Sequence, residues 1–396
     1  MSISLYTEIR RELHRWLAGR VRASTLERLV VLVVGIIGSQ SSSPARIARV
    51  LQHLGLSEAS AESIERRVRR IENDPQVTMT ACFHPFARAR LLLGRPTELR
   101  LAIDPTTQDD RVVMLTVSVW FRGRALPLVW AVWPANQPLQ GERFWSRVNR
   151  LLTLVAELLP KGIPVLWTGD RAFGTPQFTD LVTARGWDYV VRAQGQTRCQ
   201  DRQGVERRLD SLVRRRGQRR KMRGQVFKGR GWRAAAVVVY WGKRHKTPLC
   251  LVTSLGAKWF VIRLYRQRYA IEAFFRDCKS AGWEWERNQV TVLAHTQRLL
   301  VGLALATWLT LGVGAQVAAE HLARPVTPRR SRPWAAKFSL FTLGLDRLKQ
   351  WWAGNCHCPL RWHLVDWVPL NWSTQLCARH ARAFVFNPPQ AFYNET

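Results

Sequence analysis

The segment YRQRYAIEAFFRDCK, residues 265–279, decides how this chain is read. It carries Tyr265, Arg268, Glu272 and Lys279, separated by three, four and seven positions. On a helix these point to about 0°, −60°, −20° and −40°, one narrow stripe. Leu264, Ile271, Phe275 and Cys278 fall beside that stripe. The spacing predicts one helix over 265–279, with an apolar face in a core and a mixed-charge edge next to it. A solvated face with i,i+4 pairing gives the same pattern, so the edge takes its meaning from the rest of the chain.

The chain has 396 residues, 46% of them apolar, which is enough for two or three domains with a real core. Its 61 Lys+Arg against 28 Asp+Glu give a net charge of +33, the balance of a protein that meets a polyanion, usually nucleic acid. A membrane surface is the other anionic partner of such a chain. Nineteen tryptophans supply core and, beside the positive charge, surfaces on which bases can stack. The seven cysteines are odd in number and scattered, which argues against a disulfide framework and for a reducing cytosol. Cys356, Cys358, Cys377 and His380 form C-x-C…C-x2-H, but C-x-C is not the usual zinc-ligand spacing, so buried or free thiols come ahead of a zinc knot. No GxxxxGK[ST] loop occurs, so nothing points to nucleotide hydrolysis.

Two apolar stretches need placing. Leu29 to Gly38 is only ten residues long and reads as a core helix. Leu299 to Ala319 runs 21 residues without a charge, long enough to span a membrane, but Gly302, Gly312, Gly314, Thr307, Thr310 and Gln316 interrupt it. In a chain this basic we expect it to be a buried helix with no membrane partner.

Residues 1–95 read as a helical domain that binds DNA. A Ser43-Pro44 helix start, a Gly55 stop and a second helix bearing Arg66, Arg67, Arg69 and Arg70 suggest a helix-turn-helix reader; a plain bundle with a basic surface has the same pattern. From residue 96 the period changes, and 96–195 reads β-β-β-α-β-α-β. Residues 196–256 read as a β-rich insertion with a basic edge: Arg207 to Arg233 hold twelve Lys/Arg against Asp210 alone. We expect phosphate contacts from Arg214, Arg215, Arg216, Arg219, Arg220 and Lys221, because cations this dense repel unless something neutralises them. Residues 257–323 return to the core with the helix that carries Glu272. Residues 324–396 open with a Pro/Arg linker and are assigned to dimerisation or DNA contact.

Asp104 and Asp170 each fall at the end of an apolar strand, where open α/β sheets place their sites. Capping a turn is the ordinary job of such an aspartate. With Glu272 on a helix flanking the sheet, three carboxylates are able to converge. Gathering three acids in a chain of +33 is costly unless a cation holds them. Hard divalent ions prefer that all-oxygen shell, and Mg²⁺ leaves positions for water and phosphate oxygens. Two such ions about 4 Å apart support in-line phosphoryl displacement.

The line Tyr265-x2-Arg268-x3-Glu272-x6-Lys279 resembles, without a gap, the Y-(2)-R-(3)-E-(6)-K signature of DDE transposases of the insertion sequence four group. GDRAFG around Asp170 is similar to that family's second-aspartate motif, and AIDPTT around Asp104 to its first, with Pro105 as a departure. The resemblance covers about residues 95–320 and implies an α/β, RNase H-like catalytic core interrupted by the β-rich insertion. It implies Asp104, Asp170 and Glu272 as catalytic metal ligands for two Mg²⁺, with Mn²⁺ able to substitute. Tyr265, Arg268 and Lys279 would face the DNA backbone, with Arg171 and the basic run as further contacts. Tyr269 is a candidate to stack a flipped base, although a core-edge aromatic fits it equally. The activity implied is cleavage at the terminal inverted repeats, with a hairpin as an optional intermediate, and joining of the 3′-OH ends to target DNA. The partners are double-stranded DNA and a second copy in a homodimer, and the place is the bacterial cytoplasm at the nucleoid. A catalytically silent DNA-binding relative, or a structure-selective nuclease on the same fold, shares the bulk features.

Overall fold

The computed structural model describes residues 2–53, 55, 58–94, 96–280, 282–290, 292–323 and 338–354. In chain order it runs through five helices, α1 (Ser2–Leu17), α2 (Ala23–Ser39), α3 (Pro44–His53), α4 (Ala61–Asn73) and α5 (His84–Leu93). Three strands follow, β1 (Leu99–Gln108), β2 (Val112–Phe121) and β3 (Arg124–Pro134), then α6 (Gly141–Leu158), β4 (Val165–Gly169), α7 (Pro176–Thr183) and β5 (Asp188–Arg192). The expected β-β-β-α-β-α-β order is therefore present. Next come β6 (Arg198–Asp201), β7 (Glu206–Arg208), β8 (Arg219–Val226), β9 (Arg233–Tyr240) and β10 (Leu249–Thr253). Four helices close the described chain, α8 (Phe260–Arg266), α9 (Ala270–Cys278), α10 (Leu293–Ala323) and α11 (Leu340–Trp352). The chain divides into two compact units, one of Met1–Pro96 with Arg276–Thr396 and one of Thr97–Phe275.

The second unit is built on one ten-stranded sheet in the order β3-β2-β1-β4-β5-β10-β9-β8-β6-β7. β1 is antiparallel to β2 and parallel to β4, and β4 is parallel to β5. From β5 outward every pairing is antiparallel. The basic insertion therefore extends the core sheet by hydrogen bonds of β10 to β5. β3 is an edge strand, which is where Pro127 is tolerated, at a bulge opposite Ser118. Leu166, Val190, Val238 and Leu251 form one apolar patch across four strands, and Val261, Leu264 and Tyr265 of α8 seal it.

The first unit is helical. α2 buries Leu26, Leu29, Val30, Val33, Ile36 and Ile37, so Leu29 to Gly38 is core as expected. The apolar stretch of α10 is also internal: 94% of its most hydrophobic window is buried. Its glycines explain how. A Cβ on Gly314 would lie 1.8 Å from the Leu340 carbonyl oxygen, and one on Gly344 would lie 1.9 Å from that of Thr310, so α10 and α11 cross at backbone contact. α3 and α4 flank a turn at Gly55, whose φ is +63°, and α4 starts where the Ser60 hydroxyl accepts from Ser63 N at 3.3 Å. Cys82, Cys199, Cys250 and Cys278 are free and buried. The Cys356, Cys358, Cys377 and His380 cluster lies outside the described residues, as does most of 324–396.

Two local expectations are corrected. The segment 265–279 is not one helix: α8 ends at Arg266, a tight turn of 3-10 helix covers Gln267–Tyr269, and α9 starts at Ala270. The turn is tied to β1, since Arg100 Nη1 donates to Gln267 Oε1 at 2.8 Å. Nor does β1 end at Asp104. Its pairing with β4 stops at Ile103↔Gly169, but its pairing with β2 continues to Gln108↔Val112. Pro105 sits just where β4 no longer flanks the strand.

Candidate active site

The two aspartates occupy equivalent positions on neighbouring parallel strands. Ile103↔Gly169 is the last pair of β1 with β4; Asp104 is the next residue of β1 and Asp170 the first residue past β4. An apolar run up to that pair holds the strands in the core; past it the chains diverge, β1 along β2 and β4 into the loop 170–175. In that loop Asp170 Oδ1 accepts from Ala172 N at 2.9 Å, which fixes the carboxylate's direction. Phe173 and Gly174 are buried below it, and a Cβ on Gly174 would lie 2.1 Å from the Arg192 carbonyl oxygen.

Arg268, in the turn between α8 and α9, joins the third acid to the first. Its Nη1 donates to Asp104 Oδ2 at 2.8 Å and its Nη2 to Glu272 Oε1 at 2.6 Å. Arg268 is 7% exposed, and its guanidinium lies 5.0 Å from the Tyr269 ring centroid and 5.9 Å from that of Tyr265. Its Nε is buried without a partner. Burial works against its charge, but Asp104, Tyr265 and Glu272 outweigh burial and hold its proton more firmly than usual. Burial pushes the Asp104 carboxyl up to about 6; Arg268 opposes this, while the charges of Asp170 and Glu272 add to it. Those two repulsions place all three carboxylates in one field.

The expected convergence of three carboxylates on one cation takes a different form. Among the described residues no three Asp, Glu, His or Cys side chains stand close enough together to hold a metal ion. The positive charge that the acids require comes from the guanidinium instead. The donor set is nevertheless all oxygen and mutually repelling, which is the chemistry of a hard divalent site, and Arg268 stands in for part of that cation.

Two members of the stripe do not face outward. Tyr265 is 1% exposed and part of the patch under α8, and burial pushes its phenol up to about 12. Arg268 is turned inward onto the acids. The 3-10 turn at 267–269 keeps the chain helical, and burial runs through it at 3–4 residue spacing, Leu264, Arg268, Ile271, Phe275 and Cys278, so Tyr265 and Arg268 are buried together with the apolar face they border. Tyr269, at 48% exposed, and Glu272 do reach the surface. Leu264, Ile271, Phe275 and Cys278 are buried as their spacing predicts. In the other unit, Lys279 Nζ pairs with Glu286 Oε1 at 3.2 Å.

Arg171 is exposed beside Asp170, and Arg66, Arg67 and Arg70 line the open side of α4. Arg214, Arg215, Arg216, Arg219, Arg220 and Lys221 are all exposed. The first three sit in a turn closed by Gln218 Oε1, which accepts from Arg214 N at 2.7 Å; the others begin β8. Sequence reasoning passed over Trp259, Arg223, Arg263 and Arg266. The local signal was available, Phe260 followed by Arg263 and Arg266 at a spacing of three, but the partners of Trp259 on β8 are remote in the chain.

No curated protein matches this chain. A structure of the piggyBac transposase synaptic complex with hairpin DNA is similar over 98% of this chain and 86% of that chain, with a TM-score of 0.44 and 12% identity. Human ENDOV is similar over 49% of this chain and 95% of that chain, with a TM-score of 0.24 and 13% identity. Residues 146–309 match the family described as "Transposase DDE domain", a stretch that holds Asp170, Arg268, Glu272 and Lys279 and begins after Asp104.

Proposed function

We propose that this chain is a DNA transposase that cleaves the terminal inverted repeats of an insertion sequence and joins the 3′-OH ends to target DNA. One observation carries the reading: Asp104 and Asp170 stand side by side past the last parallel pair of β1 and β4, and Glu272 is bound to Asp104 through Arg268. The transposase DDE domain match over 146–309 supports it, and the strand order 3-2-1-4-5 at the core of the sheet supports an RNase H-like fold.

Asp104, Asp170 and Glu272 would hold divalent ions, Mg²⁺ with Mn²⁺ as a substitute. Such ions supply activation of the attacking water and neutralisation of charge at the phosphate. Ala172 N orients the Asp170 carboxylate, and Arg268 keeps Asp104 and Glu272 together before DNA arrives. The exposed cations of 214–221, with Arg171 and with Arg66, Arg67 and Arg70 on the helical unit, would neutralise DNA phosphates. Lys279 would join them once released from Glu286. Tyr269 is exposed enough to stack a displaced base. Two ends must be brought together, so the working form would be a homodimer, acting on the nucleoid in the bacterial cytoplasm.

The test uses labelled DNA carrying the repeats that flank the protein's own gene, with Mg²⁺ or Ca²⁺, and compares the wild type with Glu272→Gln. A Mg²⁺-dependent 3′-OH nick at the repeat boundary, followed by joined product and absent in the variant, is the expected result. Tight, salt-sensitive binding without any cut would assign a DNA-binding relative. Cutting without joining would assign a nuclease.

A further inference from the structure

β8 carries Arg219, Lys221 and Arg223 at alternate positions, so the three project from one face of the strand. Opposite them on β9 stand Tyr240, Val238 and Ala236. Val238 belongs to the patch that α8 covers, so the three cations share the sheet face on which α8 and the turn bearing Arg268 lie. The pairing also fixes their level. One row crosses the sheet from Arg192 through Leu251 and Val238 to Lys221. Asp170 follows the pair Gly169↔Val191 and is level with Arg192. Lys221 is thus level with Asp170 four strands away, about 19 Å at ~4.8 Å per strand.

The start of α8 bridges that gap. The Trp259 ring has the Arg219 guanidinium at 4.6 Å and the Lys221 ammonium at 5.5 Å from its centroid. From Trp259 onward the exposed positions recur every third residue: Phe260, Arg263, Arg266, Tyr269, then Glu272. Val261, Leu264 and Tyr265 between them go into the core. A row of cations and aromatics, turning about 60° around the helix at each three-residue step, therefore winds obliquely over the open side of α8 from β8 toward the carboxylates. None of its five cations, Arg219, Lys221, Arg223, Arg263 and Arg266, has a carboxylate partner among the described residues.

Cations in such a row repel one another until a polyanion lies along them. On β8 their spacing is about 6.6 Å at ~3.3 Å of rise per residue, on the order of the step between phosphates of an extended nucleic-acid strand. A duplex offers two spiralling phosphate rows and hides its base faces. An unpaired strand offers one row, and bases free to stack on aromatic rings placed between the charges. We propose that the row is a track for one unpaired DNA strand leading to the carboxylate site, with its phosphates on the five cations and bases against Phe260. The transposase reading identifies the polymer as DNA; the track itself is tested by binding alone.

Full-length protein is titrated into a labelled oligothymidylate of about 16 nucleotides and into a duplex of equal length, over a series of salt concentrations. Arg263→Ala with Arg266→Ala should weaken strand binding at least about tenfold and flatten its log–log salt slope by roughly 0.7 for each lost contact. Duplex binding should fall clearly less. A control pair off the row, Lys243→Ala with Arg244→Ala, removes the same charge and should leave the strand preference unchanged. Equal weakening of strand and duplex, or no weakening of the strand, overturns the track. Unfolding midpoints are compared first; if the alanine pair does not fold, Arg263→Gln with Arg266→Gln takes its place with the same outcomes. Selective loss of strand binding stands even if no DNA is ever cleaved. Cleavage with unaltered strand binding would leave the transposase reading intact and remove only the track.

Discussion

Arg268 holds Asp104 at 2.8 Å with one amino group and Glu272 at 2.6 Å with the other, so a single guanidinium ties the central strand β1 to helix α9. Asp104 and Arg268 are both nearly out of water, and Glu272 is half-exposed. The Asp104 half of the bridge therefore dominates its energetics. Replacing Arg268 by Met strands a buried carboxylate beside two others. We expect a loss of about 3–5 kcal/mol near pH 8 and a clearly smaller loss near pH 5, where Asp104 takes up a proton. Urea unfolding at the two pH values checks this, and equal losses would count against it.

Asp104 itself sets a pH dependence whose sign follows from its environment. Its folded value near 6 lies above its ordinary 3.8, so between those values the folded state binds more protons than the unfolded chain. Stability from this group is complete below about pH 4 and falls as pH rises to about 6. The shift of about two units corresponds to roughly 3 kcal/mol. The measurement is the stability difference between the wild type and Asp104→Asn from pH 4 to 7. A difference that does not move in the wild type's disfavour with rising pH contradicts the assignment.

Gly174 holds the Asp170 loop against β5. A methyl group there would overlap the Arg192 carbonyl, and the nearest atoms are all backbone of Arg192 and Ala193, with no soft side chain to yield. Gly174→Ala should cost about 1–3 kcal/mol and, by displacing Asp170, reduce DNA cleavage more than DNA binding. Cleavage and binding that decline in parallel would show that the loop does not position the carboxylate.

The basic run should be read out in salt. Replacing Arg214, Arg215, Arg216 and Arg220 with Ala should flatten the log–log salt dependence of duplex binding by about 0.9 for each phosphate contact removed. An unchanged slope would mean that these side chains are only a solvated surface.

Tyr265 distinguishes packing from contact. In the patch under α8 its ring should cost about 3–5 kcal/mol when cut to Ala. Tyr265→Phe, which removes only the hydroxyl near Arg268, should cost about 1 kcal/mol. Thermal unfolding of both variants checks this. Weaker DNA binding by Tyr265→Ala at unchanged stability would restore an outward, DNA-facing role.

Much of this was legible in the sequence because it depends on local periodicity. Alternation marked β1 and apolar runs marked β2 to β5, the apolar run of α10 marked a buried helix, and the positions of Leu264, Ile271, Phe275 and Cys278 marked a buried face. Asp170 and Glu272 could be singled out because a strand end and a helix edge follow from the same periods, whereas Asp104 lies inside β1, at the end only of its pairing with β4. What tertiary structure decided was where side chains point once the chain is bent. Tyr265 and Arg268, on the edge beside the apolar face, are buried with that face across the turn at Gln267–Tyr269 instead of facing outward. Tyr265 goes into the core because α8 must cover four strands. Arg268 turns onto Asp104 because a buried carboxylate needs a counter-charge, and that carboxylate is 164 residues away in the chain. The sequence by itself determined most of the elements and where the three acids lie along them; only the folded sheet, by setting β1 beside β4 and laying β8 level with them, decided what the acids and the cations face.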